Sequence, residues 1–166
     1  TRRSSDLIVW LDTSVLLLPR GLQKLWRIVQ QDGYLVHVAA QWPLADWVSD
    51  DCLEVFDVSR DDLADLPICY SGFVAFDLTR SNGRDIFARW AQSERRGGFI
   101  GPWSVADRGW NGHRHDQSCL SLVLRELGLT PHHCLSVLEE PGVLRKCDVL
   151  IDRRGCHALY DIVQLC

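Results

Sequence analysis

The chain contains no methionine, not even at position 1, and opens on Thr1-Arg2-Arg3. This start suggests a fragment of a longer protein. No Cys-x-x-Cys pair occurs among Cys52, Cys69, Cys119, Cys134, Cys147, Cys156 and Cys166, and their irregular gaps disfavour a zinc site. Seven is an odd count, so a complete set of disulfides within the chain is excluded. Most of these thiols are expected to be small buried apolar residues, with some pairing in an oxidising compartment left open. No apolar run approaches the about 20 residues of a membrane span. The longest, Leu7–Leu18, is interrupted by Asp12. No signal peptide is visible, since Asp6 and a strand-like run follow Arg2-Arg3. There is no basic stripe. Eighteen Lys and Arg stand against 22 Asp and Glu, a net charge of −4, which argues against a nucleic-acid partner. Internal repeats and low-complexity tracts are also missing. What remains is 166 residues, 46% hydrophobic and 24% charged, a composition that fits one globular domain and excludes a disordered tail or a coiled coil.

The organisation reads as α/β. Asp6–Leu11 is short, apolar and β-branched at its centre, a buried strand. Leu22, Leu25, Trp26 and Val29 recur at helical spacing up to Gln31, and Asp32-Gly33 ends that helix. Tyr34–Ala39 is the next strand, completing a strand–helix–strand unit. Gln41–Leu66, with Trp42, Pro43, Trp47 and several Asp, predicts short helices and loops. Tyr70–Phe76 predicts a strand in which Gly72 admits a close neighbour. Ser81 or Asn82 is a candidate cap for a helix to Arg95 with Ile86, Phe87 and Trp90 on one face. A Gly- and Trp-rich loop spans Gly98–His113. A helix from Asp116 to Leu127 presents Leu120, Val123, Leu124 and Leu127, and Gly128 closes it. Short strands are expected at Leu135–Leu138, Asp148–Ile151 and His157–Val163.

Two polar clusters lie at element boundaries. Asn111-Gly112-His113-Arg114-His115-Asp116-Gln117-Ser118 stands where the loop meets the helix. Asp116 suits a helix cap and equally suits a base that orients or deprotonates a substrate hydroxyl. The other cluster, Asp12-Thr13-Ser14, follows the first strand, where α/β sheets bind ligands. Its oxygen atoms suit Mn²⁺ or Mg²⁺, and His157 is a candidate further metal ligand. Trp103 and Trp110 are candidate platforms for a sugar ring, or core residues. Gly109 and Gly112 would let their loop move over a ligand. A phosphate-ester hydrolase with Asp12 as nucleophile lacks a second carboxylate nearby.

His113-Arg-His-Asp-Gln-Ser118 resembles the His-Arg-x-Asp-Gln-Ser motif of glycosyltransferase-like proteins related to the GT-A (nucleotide-diphospho-sugar transferase) fold. In the same order, Val9–Ser14 is similar to the family's strand ending in an Asp-x-Asp-type metal motif. Gly72–Phe76 followed by Phe87–Trp90 is similar to the strand and helix between the motifs. The likeness runs over about Asp6–Leu127. It implies a mixed sheet flanked by helices, residues 1–166 forming roughly the carboxyl-terminal two-thirds of such a domain, without the amino-terminal nucleotide-binding strands. It implies a transferase moving a sugar from a nucleoside diphosphate donor to a carbohydrate or glycoconjugate acceptor. Asp12 would hold the divalent metal, Asp116 would act at the acceptor hydroxyl, and His115, Gln117, Trp103 and Trp110 would line the sugar pocket. Ser14 stands where the motif's second Asp is usual, which lowers the expected metal affinity. Relatives are luminal in eukaryotic secretory compartments, or cytoplasmic in bacteria and viruses. A degenerate module that binds carbohydrate without catalysis is the alternative.

Overall fold

β-Branched and aromatic residues of Pro67–Asp77 alternate between two apolar layers, and that strand becomes the centre of the fold. The computed structural model describes residues 6–12, 15–17, 19–103, 111–132 and 150–152. The elements run β1 (Leu7–Leu11), β2 (Val15–Leu17), α1 (Pro19–Asp32), β3 (Tyr34–Pro43), α2 (Asp50–Phe56), β4 (Pro67–Asp77), α3 (Ser81–Arg95), α4 (His115–Glu126) and β5 (Leu150–Asp152). Short 3-10 turns cover Leu44–Trp47 and Asp61–Leu63. Strands β1, β4 and β3 form an open antiparallel sheet in that order, and β2 pairs antiparallel with β5.

The sheet is covered on both faces. On one, Leu25 and Val29 of α1 meet Leu35, Phe73 and Ala75. On the other, Ile86 and Trp90 of α3 and Leu120 and Val123 of α4 meet Val36, Val74 and Phe76. Period-two alternation explains this division: Phe73 and Ala75 point one way, Val74 and Phe76 the other. The product is a mixed α/β structure of helix, sheet and helix. The first strand is not buried as expected: β1 is an edge strand and thinly covered, with Val9, Trp10 and Leu11 each more than two-fifths exposed. Among the described residues no helix is long and apolar enough to cross a membrane.

Most expected elements are present, including the short helices of Gln41–Leu66 and the strand about Leu150. Gly72 does admit a close neighbour, since the Tyr70 ring occupies the space where its Cβ would stand. Three further readings need correction. Pairings between the described strands are all antiparallel, and a parallel contact enters only as the bridge between His37 and His132. Neither Ser81 nor Asn82 caps α3. Its N-cap is Arg80, without a side-chain cap bond, and Asn82 instead donates Nδ2 to the Asp32 carbonyl at 3.1 Å, tying α3 to the end of α1. Asp116 does not cap α4 either, because that helix begins at His115 with Arg114 as N-cap. The expected strands at Leu135–Leu138 and His157–Val163 lie outside the described residues.

Candidate functional site

The polar motif divides into a buried half and an open half. His113 is fully buried. Its Nδ1 accepts from the Ser49 amide at 3.2 Å, and its Nε2 donates to the Gly98 carbonyl at 2.9 Å. Both ring nitrogens are used by the neutral tautomer. Burial depresses the imidazole pKa to about 4, against the Gly98 hydrogen bond, which raises it. His113 is therefore a latch between the Gly98–Trp103 segment and the start of α2. Gly101 packs on its ring, where a Cβ would come within 2.8 Å.

His115 adopts φ +41 at the first position of α4. Its Nδ1 donates to the Phe99 carbonyl at 2.7 Å, which leaves Nε2 buried and without a partner. Trp103 lies against this ring, centroids 4.7 Å apart, and is itself 65% exposed. The loop indole and the motif imidazole, both expected at the sugar, thus come together. Trp103 offers the open face and His115 supports it.

Asp116 is half-buried in the first turn of α4. Its backbone carbonyl accepts from Trp90 Nε1 at 3.0 Å. Among the described residues, no hydrogen bond or ion pair engages its carboxylate. Gln117 follows in the same turn. Its Nε2 donates to the Cys69 carbonyl at 3.3 Å, so the amide nitrogen is used to tie α4 to β4. The adjoining Ser121 Oγ accepts from the Cys69 amide at 2.8 Å and donates to the Gln117 carbonyl at 2.7 Å.

Asp12 directly follows β1, and its amide donates to the Gly72 carbonyl at 2.8 Å, extending the ladder by a residue. Ile8 packs into the core under α3 and α4, and the strand period puts Trp10 and Asp12 on that same side. Asp12 and the Asp116 helix therefore share one face of the sheet. A hard divalent ion usually takes several oxygen ligands. Among the described residues no three His, Cys, Asp or Glu side chains gather to hold a metal, and Asp12 alone is too few. His157, Ser14 and Trp110 lie outside the described residues.

One group escaped the sequence reading. The Arg114 guanidinium lies 4.2 Å from the Trp47 ring centroid, 5.5 Å from Trp103 and 5.8 Å from Trp42. Trp42 and Trp47 stack at 5.1 Å and 28°. The available signal was the pair of Trp flanking Pro43 and the basic residue inside the motif. An open depression of about 530 Å³ lies elsewhere, lined by Asp51, Glu54, Val55, Arg96, Gly97 and Ile100, none of them a predicted site residue.

Comparisons with protein-family models, curated proteins and solved structures find no match to this chain.

Proposed function

We propose that the chain is a glycosyltransferase-type protein, transferring a sugar from a nucleoside diphosphate donor to an acceptor hydroxyl. The observation that carries the reading is the juxtaposition at the start of α4. An exposed indole, Trp103, leans on His115, and the next residue, Asp116, keeps a carboxylate that no described residue engages. An aromatic face beside a spare carboxylate suits a sugar whose ring is stacked and whose hydroxyl is addressed. In this reading the acceptor oxygen bonds to the anomeric carbon as the bond from that carbon to the diphosphate oxygen breaks. The hydroxyl proton passes to the Asp116 carboxylate, and the diphosphate leaves with the bonding electrons.

The described ligands do not complete a metal site around Asp12, so metal dependence is an outcome to measure. The test is hydrolysis of a panel of nucleotide sugars, with and without Mn²⁺ and with and without carbohydrate acceptors. Asp116→Asn should abolish most turnover. Unchanged turnover in that variant would remove Asp116 from the chemistry.

Ser14, standing where the motif's second Asp is usual, favours a second reading, a module that binds carbohydrate without transferring it. Sugar binding with no donor turnover in any arm would establish that one instead.

A further inference from the structure

Arg114 is a cation surrounded by aromatic rings, and it has no counter-ion among the described residues. Three indoles lie within 6 Å of its guanidinium carbon. The ion pairs among the described residues join Arg60 to Asp50, Arg84 to Asp85, Arg89 to Glu126 and His132 to Asp32, and none includes Arg114. Its Nε is buried without a hydrogen-bond partner. Asp116, two positions on, belongs to a different face of the helix start, since residues i and i+2 do not meet. Cation–π contact compensates part of the charge, but five N–H donors in a planar fork are built for a carboxylate or phosphate.

Two of the three rings around the charge are open. Trp42 is 44% exposed and Trp103 is 65% exposed. Exposed tryptophans flanking one cation are an uncommon use of surface, because each leaves a large apolar face in water. The backbone fixes their spacing. The Arg114 amide donates to the Trp47 carbonyl at 3.1 Å, and the Asn111 amide donates to the Asp46 carbonyl at 2.7 Å. Ser118 Oγ accepts from the Arg114 amide at 3.2 Å and donates to the Trp47 carbonyl. The turn ending in Trp47, which stacks on Trp42 of β3, is thus stitched to the segment carrying Arg114, and a ligand meets a site already ordered.

We propose that Trp42, Trp103 and Arg114 form a subsite for an anionic sugar, an indole stacking on the pyranose ring while the guanidinium takes a carboxylate or phosphate borne by it. The subsite deepens the transferase reading by naming its acceptor class, and it rests on that reading only for its place in transfer. Binding itself needs no turnover.

Calorimetric titration of the full chain with methyl β-glucuronide, glucose 6-phosphate and methyl β-glucoside tests this. At least one anionic sugar should bind about tenfold or more tightly than the neutral glucoside, as charge-assisted hydrogen bonds require. The two anionic arms decide between a uronate and a phosphate. The preference should shrink in about 0.5 M salt, vanish in Arg114→Gln and survive in part in Arg114→Lys. Trp103→Ala should weaken every sugar. It lies at an exposed position, so it keeps the test decisive if Arg114→Gln fails to fold. Equal affinity for all three sugars, no binding, or a preference indifferent to both variants would overturn the proposal. So would Arg114-dependent binding of uridine diphosphate with the sugars inert, which would give the site to the donor. A chain that binds anionic sugars but turns over no donor would lose the transferase reading and keep this one.

Discussion

His113 takes the Ser49 amide proton on Nδ1 across 64 residues of sequence, and it does so only while that nitrogen is unprotonated. A proton on Nδ1 would break this bond and leave a charge in a fully buried position. His37 is in a related position, 5% exposed, its Nδ1 without a partner and its ring 4.7 Å from Tyr70. Burial first, then the nearby His132, depresses its pKa to about 3.

The sign of the pH effect follows. Both histidines have folded pKa values below the ordinary 6.5, so the unfolded chain binds protons that the folded chain refuses. Their contribution is complete above about pH 6.5. It is lost as pH falls, ending near 4 for His113 and near 3 for His37. At about 1.4 kcal/mol per pKa unit, each is worth on the order of 3–5 kcal/mol. Urea midpoints should fall steadily from pH 7 to pH 4. In His113→Asn the midpoint should already be lower at pH 7, and the part of the slope between pH 6.5 and 4 should flatten. A slope identical in the variant would deny His113 this role.

Much of the scaffold was legible in the sequence. The short apolar strands around Val36 and Val74 and the helical stripe of Leu120, Val123 and Leu124 follow from local composition and spacing, because each buries residues that its own segment supplies. The polar motif was not legible in the same way. His113 and His115 look alike in sequence, but one is sealed by Ser49 and Gly98 and the other props an exposed indole. Those partners come from segments 12–64 residues away, and no local pattern encodes them. The tie from Gln117 to β4 is illegible for the same reason, since Cys69, its acceptor, sits 48 residues earlier. Arg114 was passed over because Trp42 and Trp47 approach it only after β3 has folded back.

Ser121 stabilises the contact between α4 and β4 by accepting from the buried Cys69 amide. Ser121→Ala removes that acceptor and leaves the amide dry. The expected cost is about 1–3 kcal/mol, read as a lower urea midpoint with an unchanged slope against denaturant. Gln117→Ala should cost less, because its bond is longer and half-exposed, and it should leave sugar binding intact if its amide serves only the scaffold.

Gly83 lies buried in the first turn of α3, where a Cβ would collide with the carbonyls of Gly33 and Asp77. Gly-to-Ala in a helix ordinarily gains up to about 1 kcal/mol in propensity. Here the neighbours are backbone atoms that cannot turn aside, and overpacking of this kind costs about 3 kcal/mol. The clash wins, so Gly83→Ala should melt well below the parent chain. A variant of equal or higher Tm would show that α3 can slide away from the end of α1.

Cys52, Cys69 and Cys119 are buried free thiols, and the Cys52 and Cys119 sulfurs lie 3.5 Å apart. Hydrogen bonding to Cys119, then burial, raises the Cys52 pKa, and burial pushes Cys69 up to about 12. Thiolate is the reactive form. Alkylation by iodoacetamide at pH 8 should therefore be slower at these three than at an unfolded cysteine by roughly 10³-fold or more, the inverse of the open population of a stable domain. Peptide mass mapping before and after urea reads this directly. Rapid labelling of Cys69 in the native chain would mean that β4 is not the covered centre of the sheet.

Asp116→Asn separates chemistry from folding. The substitution preserves shape, and the carboxylate makes no described bond that an amide would lose. The structural cost is confined to the charge at the start of α4, about 0.3–1 kcal/mol, so the melting curve should barely move. If Asp116 receives the acceptor proton, turnover should fall by about 10²–10⁴-fold, with donor hydrolysis in the absence of acceptor less affected. Acceptor binding should persist, because Trp103 and the sheet beneath are untouched. A parallel loss of Tm and turnover would instead assign Asp116 to the scaffold. Lost turnover at constant Tm, with binding retained, is the pattern that a proton-accepting carboxylate requires.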